Sequence, residues 1–180
     1  MQYRRAKIKG GTYFFTVVTH NRRQFLCQPE NVELLRNAFR YVMKRHPFKI
    51  DAFVLLLDHL HCIWTLPEGD EDFSNRWRLV KYYFSLNCEK QYRGDVSDSR
   101  ERKNEQTIWQ RRFWEHVIRD DDDYAKHVDY IHYNPVKHNL VKSPRDWEYS
   151  SFYRYVQAGV YDEMWGAEQD ISFSDLVGRE

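Results

Sequence analysis

The stretch Ala52–Trp64 reads AFVLLLDHLHCIW, and its apolar residues predict a strand on each side of a tight turn. Successive side chains of a strand point to opposite faces, so residues two apart point the same way. His59 and His61 are therefore expected side by side on one face, with Leu60 and Cys62 on the other. Two neighbouring imidazoles can supply half of a metal site, although two solvated histidines on an edge strand would fit the same spacing.

Strand and helix patterns alternate along the rest of the chain. Thr12–Thr19 is rich in β-branched and aromatic residues, which is typical of a strand. Apolar residues that recur every three or four positions after Pro29 predict a helix that Pro47 ends. The further predicted elements are strands at 48–57 and 60–66, a helix at 74–92 with Ser74 as its N-cap, a short strand within 108–118, a helix from 121 to 134 that Pro135 bends or stops, and a short helix near 150–157.

This order of elements is that of a split β-α-β motif. It predicts an α+β fold in which an antiparallel, ferredoxin-like sheet carries helices on one face. The polar segment 93–107 has no periodicity and predicts a mobile loop. A chain of 180 residues is long enough for one domain with a core and a modest extension.

Charge is unevenly distributed along the chain. The formal net charge is only +1, but residues 1–50 carry eleven Lys and Arg against two acids. Residues 161–180 carry six acids against one arginine. The basic amino-terminal part predicts a site for a polyanion. The acidic tail could compete for that site, or it could pack through Met164, Trp165 and Phe173 with its acids facing water.

Cysteine usage and hydropathy argue against several classes of protein. The three cysteines are scattered and have no CxxC spacing, which predicts reduced thiols of a cytosolic protein. The basic start lacks the apolar segment of a signal peptide. No apolar run reaches the roughly 18–20 residues that a membrane span needs. We therefore expect a cytoplasmic protein without a membrane partner.

The helix predicted after residue 120 offers tyrosines as nucleophiles. Tyr124, Tyr130 and Tyr133 lie on it, and Tyr130 shares a face with Asn134, four residues later. A tyrosine beside a metal ion can attack a phosphodiester, because the cation stabilises charge on the phosphate and favours the phenolate. The chain has 13 tyrosines, so packing accounts for most of them, and Asn134 could equally cap the helix.

Three motifs occur together in this chain and in the same order as in a known family. They read LDHLHCIW at 57–64, RFWEHVIRD at 112–120 and DYIHYNPVKH at 129–138, preceded by YRR at 3–5 and IKGGT at 8–12. The chain thereby resembles the REP-associated tyrosine transposases, relatives of the single-tyrosine HUH transposases, over residues 3–157. The resemblance implies nicking and rejoining of single-stranded DNA at short REP palindromes, which form hairpins, through a 5′-phosphotyrosine.

The resemblance also implies roles for particular residues. His59 and His61 match the metal-binding pair of the family, and Tyr130 matches the nucleophile. Asn134 matches the position from which related transposases supply a third, polar metal ligand. The family uses Mg²⁺ or Mn²⁺. Two imidazoles suit Mn²⁺ better than Mg²⁺, which prefers oxygen ligands.

The likeness further implies a domain division and a cellular setting. A catalytic domain at 1–141, with the tyrosine on an additional late helix, would be followed by a carboxy-terminal extension at 142–180. The protein would be a monomer that acts on single-stranded or hairpin DNA in the bacterial cytoplasm, in association with the nucleoid. The residues alone leave two other functions open: a non-catalytic hairpin-binding protein, and a metal phosphodiesterase in which water attacks.

Basic residues in two segments are the candidate DNA contacts. They are Arg4, Arg5, Lys7 and Lys9 before the first strand, and Arg76, Arg78 and Lys81 on the second helix. Such cations could neutralise phosphates. Trp77 or Tyr82 could stack on unpaired bases. Equally, Trp77 could belong to the core and the charged side chains could simply face solvent.

Overall fold

A computed structural model describes residues 7–94, 107–175 and 177–178 of the chain. Its strands are β1 (Thr12–Val18), β2 (Lys49–Leu55), β3 (His59–Thr65) and β4 (Trp114–Val117). Its helices are α1 (Pro29–Arg45), α2 (Phe73–Asn87), α3 (Asp121–Lys137) and the short α4 (Phe152–Gln157). The predicted loop at 93–107 lies almost wholly outside the described residues.

The four strands form one antiparallel sheet in the order β2-β3-β1-β4. β3 therefore lies inside the sheet, between β2 and β1. The register pairs Thr16 with His61 and Val18 with His59 across the β1–β3 ladder. The element order and the antiparallel pairing confirm the predicted α+β class with a ferredoxin-like sheet.

One face of the sheet is covered by α1 and α2. The indole rings of Trp64 on β3 and Trp77 on α2 stack with their centroids 4.2 Å apart. Phe15 of β1 and Phe39 of α1 both meet Trp77 edge-on. All four side chains are buried. Trp77 therefore belongs to the core and is not available to stack on bases.

The opposite face of the sheet is covered by α3. Phe14 of β1 and Ile63 of β3 pack in one apolar cluster with Ile131 of α3. The prediction placed helices on one face of the sheet and the tyrosine on an additional late helix. α1 and α2 do share a face, and the late helix α3 covers the other, because β1 and β3 are buried on both sides. Phe152 and Tyr161 extend this second cluster, so side chains from beyond residue 141 pack against the same sheet.

The start of α2 differs from the prediction. Ser74 was expected to cap the helix, but the cap is Asp72, whose carboxylate accepts a hydrogen bond from the backbone N–H of Asn75 at 3.1 Å. A carboxylate at this position satisfies one of the free N–H groups and interacts favourably with the positive end of the helix dipole. α2 also ends at Asn87, and Lys90–Tyr92 forms a separate 3₁₀ turn.

The end of α3 differs as well. The helix continues through Pro135 to Lys137, whereas the sequence predicted a bend or stop after Asn134. Proline removes one N–H donor from the helix. The next turn is nevertheless intact, because the N–H of His138 donates to the carbonyl of Asn134 at 3.0 Å. Three residues important below, Asn134, Lys137 and His138, are thereby held on or just after the helix.

Two further features bear on the class of protein. Cys27, Cys62 and Cys88 are free thiols. Burial raises the pKa of Cys27 to about 12 and that of Cys88 to about 11, so both thiols stay protonated at neutral pH. Within the described residues, no helix combines the length and the apolar character that crossing a bilayer requires.

Candidate active site

The imidazoles of His59 and His61 lie side by side on the face of β3 that α3 covers. Their ring centroids are 4.9 Å apart, and the two residues are 1% and 0% exposed. This confirms that the two rings share a face. It removes the alternative of two solvated histidines on an edge strand, because β3 is an interior strand and both rings are buried.

Each imidazole of the pair is oriented by a neighbouring oxygen. Nδ1 of His59 lies 2.5 Å from Oδ1 of Asp58, and Nδ1 of His61 lies 2.9 Å from Oγ1 of Thr16. Burial raises the pKa of Asp58, but its hydrogen bonds with His59 and Arg22 outweigh burial and hold that pKa below its usual value. Since Nδ1 is engaged in both rings, Nε2 would be the atom that coordinates a metal ion.

One face of α3 lies against the two imidazoles. The ring of Tyr130 meets that of His61, with centroids 5.3 Å apart. Two turns later the ring of His138 meets that of His59, with centroids 5.1 Å apart. Asn134 is fully buried and lies midway between Tyr130 and His138 in sequence, so it shares their face. His138 was not predicted as a site residue, although its spacing of four from Asn134 could have indicated it.

Tyr130 is almost completely enclosed. It is 1% exposed, and the ring of Phe173 lies 5.3 Å from its own. Nζ of Lys137 donates a hydrogen bond to the Tyr130 hydroxyl at 3.0 Å. The carboxy-terminal segment covers the ring so closely that a Cβ added at Gly178 would lie 2.1 Å from Cε1 of Tyr130. The sequence did not predict the contacts of Lys137 or of Gly178.

The hydroxyl groups of the other two candidate tyrosines of α3 form hydrogen bonds away from the imidazole pair. The hydroxyl of Tyr133 donates to the backbone carbonyl of Gln169 at 2.6 Å. The hydroxyl of Tyr124 shares a hydrogen bond of 3.0 Å with Tyr155, and burial followed by this bond raises the pKa of Tyr124. Among these three tyrosines, all in the described part of the chain, Tyr130 is the one whose ring meets His61.

A second cluster with metal-ligand chemistry comprises His116 of β4 with Asp123 and His127 of α3. Their ligand atoms lie within 4.8 Å of one another, so the three side chains could hold a metal ion. Nε2 of His116 is 2.9 Å from Oδ2 of Asp123, and Nε of Arg119 donates to the same oxygen at 3.0 Å. A guanidinium beside this carboxylate opposes a second cation there. The imidazole pair on β3 is therefore the better candidate for the metal.

The predicted DNA contacts have different environments. Lys7 and Lys9 are exposed, whereas Arg4 and Arg5 lie outside the described residues. Arg78 is exposed and donates to Oδ1 of Asn75 at 2.7 Å. Lys81 is half-buried, and its Nζ donates to the Gln110 carbonyl at 2.6 Å.

Arg76, by contrast, is a structural residue. It is 3% exposed, forms an ion pair of 2.6 Å with Asp70 and donates to the carbonyl of Pro47 at 2.9 Å. Its guanidinium joins the start of α2 to the loop that follows α1. Because these partners occupy its guanidinium inside the protein, Arg76 is not available to bind phosphates.

In this site an antiparallel sheet brings two paired imidazoles to a tyrosine of a late helix. The comparisons with known proteins identify the class of protein. The chain is 47% identical over 177 residues to a REP-associated tyrosine transposase of Escherichia coli (strain K12), which covers 98% of each chain. It is 43% identical over 169 residues to a Haemophilus influenzae protein provisionally given the same name, covering 94% of this chain and 95% of the relative.

A solved structure agrees with these relatives. The structure of a REP-associated tyrosine transposase bound to a REP hairpin matches with a TM-score of 0.82 and 45% identity, over 100% of this chain and 98% of that chain. No protein-family model matches the chain. The chain belongs to the REP-associated tyrosine transposases. Tyrosine transposases are DNA strand transferases, and this family implies a divalent metal ion.

Proposed function

We propose that the protein nicks and rejoins single-stranded DNA at REP-type hairpins, with Tyr130 as the nucleophile. The contact between the rings of Tyr130 and His61 carries this proposal, because it puts a phenol next to the imidazole pair. In the step, the Tyr130 oxygen forms a bond to phosphorus while the bond from phosphorus to the 3′-oxygen breaks. The products are a 5′-phosphotyrosine and a free 3′-OH. The phosphodiester energy is retained in the adduct, so rejoining needs no ATP.

The metal ion would be held by Nε2 of His59 and His61, with the amide oxygen of Asn134 as a third ligand. The hydrogen bonds from Nδ1 to Asp58 and Thr16 fix both rings in a suitable orientation, which supports this assignment. A bound divalent ion would neutralise charge on the scissile phosphate. Two imidazoles favour Mn²⁺ over Mg²⁺ as this ion, because Mg²⁺ prefers oxygen ligands.

Tyrosine and imidazoles come from the same chain, which supports a monomer that cleaves in cis. Phosphates would be bound by Arg4, Arg5, Lys7 and Lys9 before β1 and by Arg78 and Lys81 on α2. Residues 1–141 would form the catalytic domain and 142–180 an extension that reaches back to cover Tyr130. The DNA would be chromosomal REP sequence in the bacterial cytoplasm. The phosphate can reach the phenol only if Phe173 and Gly178 move away, since Tyr130 is 1% exposed.

The test is incubation of the protein with a REP hairpin labelled at its 3′ end and Mn²⁺, followed by a denaturing gel. We expect labelled DNA to migrate with the protein. Tyr130→Phe should bind the hairpin normally and form no adduct, whereas Tyr133→Phe, on the same helix, should form it. Cleaved DNA without a protein adduct would instead indicate attack by water. Hairpin binding with neither cleavage nor adduct would indicate a binding protein.

A further inference from the structure

Lys137 touches the oxygen atom that the proposed reaction uses. Its Nζ donates a hydrogen bond of 3.0 Å to the Tyr130 hydroxyl and lies 4.8 Å from the centroid of the Tyr130 ring. The two residues are seven apart on α3, which is close to two helical turns, so they share a face. Lys137 is exposed while Tyr130 is buried, so the side chain reaches from the surface to the phenol.

The surroundings of Tyr130 make such a cation chemically useful. The phenol is enclosed by the rings of Phe14, Phe173 and His61. Negative charge that develops on its oxygen during attack would be costly among such side chains, because a low dielectric stabilises charge poorly. A hydrogen bond from an ammonium is about twice as strong as one between neutral groups. It is also preorganised, which is how enzymes stabilise developing oxyanions.

We propose that Lys137 is a catalytic residue that holds the Tyr130 oxygen and stabilises its negative charge while the bond to phosphorus forms. This rests on the proposed role of Tyr130 as the nucleophile. The phenolic proton passes to water, and the departing 3′-oxygen takes a proton from water. Lys137 keeps its own protons throughout. In rejoining, the same ammonium stabilises the departing phenolate, so Lys137 serves both directions of the reaction.

A purely structural role would have different consequences. Lys137 lies in the last turn of α3, where a cation interacts favourably with the negative end of the helix dipole. On that alternative, its loss would lower the stability of the protein slightly and leave the chemistry unchanged. A third alternative is that Lys137 protonates the departing 3′-oxygen. The experiment must therefore separate stability, help to the nucleophile and help to the leaving group.

The experiment compares Lys137→Met, Lys137→Arg and Lys126→Met in the full chain. Lys126 is the matched control, because it is exposed on the same helix and pairs with Asp122. The rate of adduct formation is measured with excess protein, labelled REP hairpin and Mn²⁺, alongside hairpin affinity and thermal unfolding. Loss of one preorganised donor to a developing oxyanion typically costs about 10²–10³ in rate. We expect a loss of about 100-fold for Lys137→Met, partial recovery for Lys137→Arg, and no change for Lys126→Met, with hairpin affinity retained in all three.

A second substrate identifies the side of the reaction on which Lys137 acts. Replacing the bridging 3′-oxygen at the scissile phosphate by sulfur gives a leaving group that needs no proton. The defect of Lys137→Met should persist on this substrate. If Lys137→Met forms the adduct with the sulfur substrate as fast as the parent protein does, Lys137 protonates the leaving group and the proposal is overturned. If Lys137→Met forms the adduct with the normal hairpin at the parent rate, Lys137 has no part in the chemistry. An adduct formed by Tyr130→Phe would instead contradict the proposed function itself.

Discussion

The carboxy-terminal segment that covers Tyr130 should restrain the reaction, and removing it should release the enzyme. Truncation after Ser174 deletes Val177 and Gly178 but keeps Phe173 and Trp165, which pack in the second apolar cluster. The truncated chain should therefore stay folded with Phe173 as the remaining covering residue over Tyr130, so the phenol is uncovered more readily than in the full chain. Truncation after Gly159 would be a poorer test, because it also removes the buried ring of Tyr161.

The expected increase in rate follows from the free energy with which the carboxy-terminal segment packs against the rest of the protein. Val177 is buried, and burying such a side chain contributes about 1.5–3 kcal/mol. Docking also costs conformational entropy of the backbone, about 1–2 kcal/mol per fixed residue, so the lower end of the burial range is the most that the contact can contribute. A free energy of about 1.4 kcal/mol corresponds to tenfold in an equilibrium. We therefore expect the truncation to raise the rate of adduct formation by at most about tenfold.

A single substitution tests the same contact without shortening the chain. A Cβ at Gly178 would lie 2.1 Å from Cε1 of Tyr130, so Gly178→Ala must displace either the segment or the ring. Gly159→Ala is the matched control: Gly159 has φ of +73°, close to the +67° of Gly178, but its added Cβ would meet nothing within 4 Å. Gly178→Ala should speed adduct formation, and Gly159→Ala should leave it unchanged.

The salt dependence of the rate distinguishes the covering of Tyr130 from competition between the acidic tail and DNA for the basic site. The residues that cover Tyr130, Phe173 and Gly178, are uncharged, so the gain should persist at high salt. A gain confined to low salt would indicate that the acids compete for the basic DNA site. Equal rates for the full chain, the truncation and Gly178→Ala would show that the phosphate reaches Tyr130 with the segment in place.

Three further predictions concern the metal, the DNA and stability. Alanine in place of either imidazole of the β3 pair, or excess EDTA, should abolish cleavage while hairpin binding persists; full nicking in EDTA would exclude the metal role. Lys7→Ala with Lys9→Ala should flatten the slope of log affinity against log salt, because each neutralised phosphate releases counterions; an unchanged slope would place the DNA elsewhere. Arg76→Met should lower the free energy of unfolding by about 2 kcal/mol, because Asp70 and the backbone carbonyls of His46 and Pro47 lose their partner. The hydrogen bond from Arg76 lowers the pKa of Asp70, so this contribution should be present above about pH 4 and lost as the pH falls below it. Thermal unfolding of the parent and of Arg76→Met is measured as a function of pH, and the same pH dependence of stability in the two proteins would refute this prediction.

The sequence was most informative where one physical rule dominates. Strand alternation placed His59 and His61 on one face, and helical spacing of four placed Asn134 one turn from Tyr130. These rules act within one element and need no knowledge of its neighbours. The second face of the sheet was not predicted, because an apolar strand buried on both sides does not say which helix covers which side.

The remaining site features depend on contacts between distant parts of the chain. The sequence shows the charge of Arg76 but not its burial. That burial depends on an ion pair with Asp70 and on a hydrogen bond to the carbonyl of His46, which follows α1. Likewise, the contact between Gly178 and Tyr130 joins positions 48 residues apart through a segment with no regular pattern. Helical spacing places Lys137 on the same face as Tyr130. Spacing alone does not show whether its ammonium binds the phenol or only interacts with the carboxy-terminal end of the helix.

The most direct test of the account identifies the amino acid that becomes attached to DNA. The protein is incubated with a REP hairpin and Mn²⁺, the adduct is digested with protease and nuclease, and the modified peptide is sequenced by mass spectrometry. The account predicts a nucleotide on the Tyr130 oxygen and an unmodified Tyr124 and Tyr133. A nucleotide on either of those two tyrosines, or cleaved hairpin with no modified peptide at all, would contradict it.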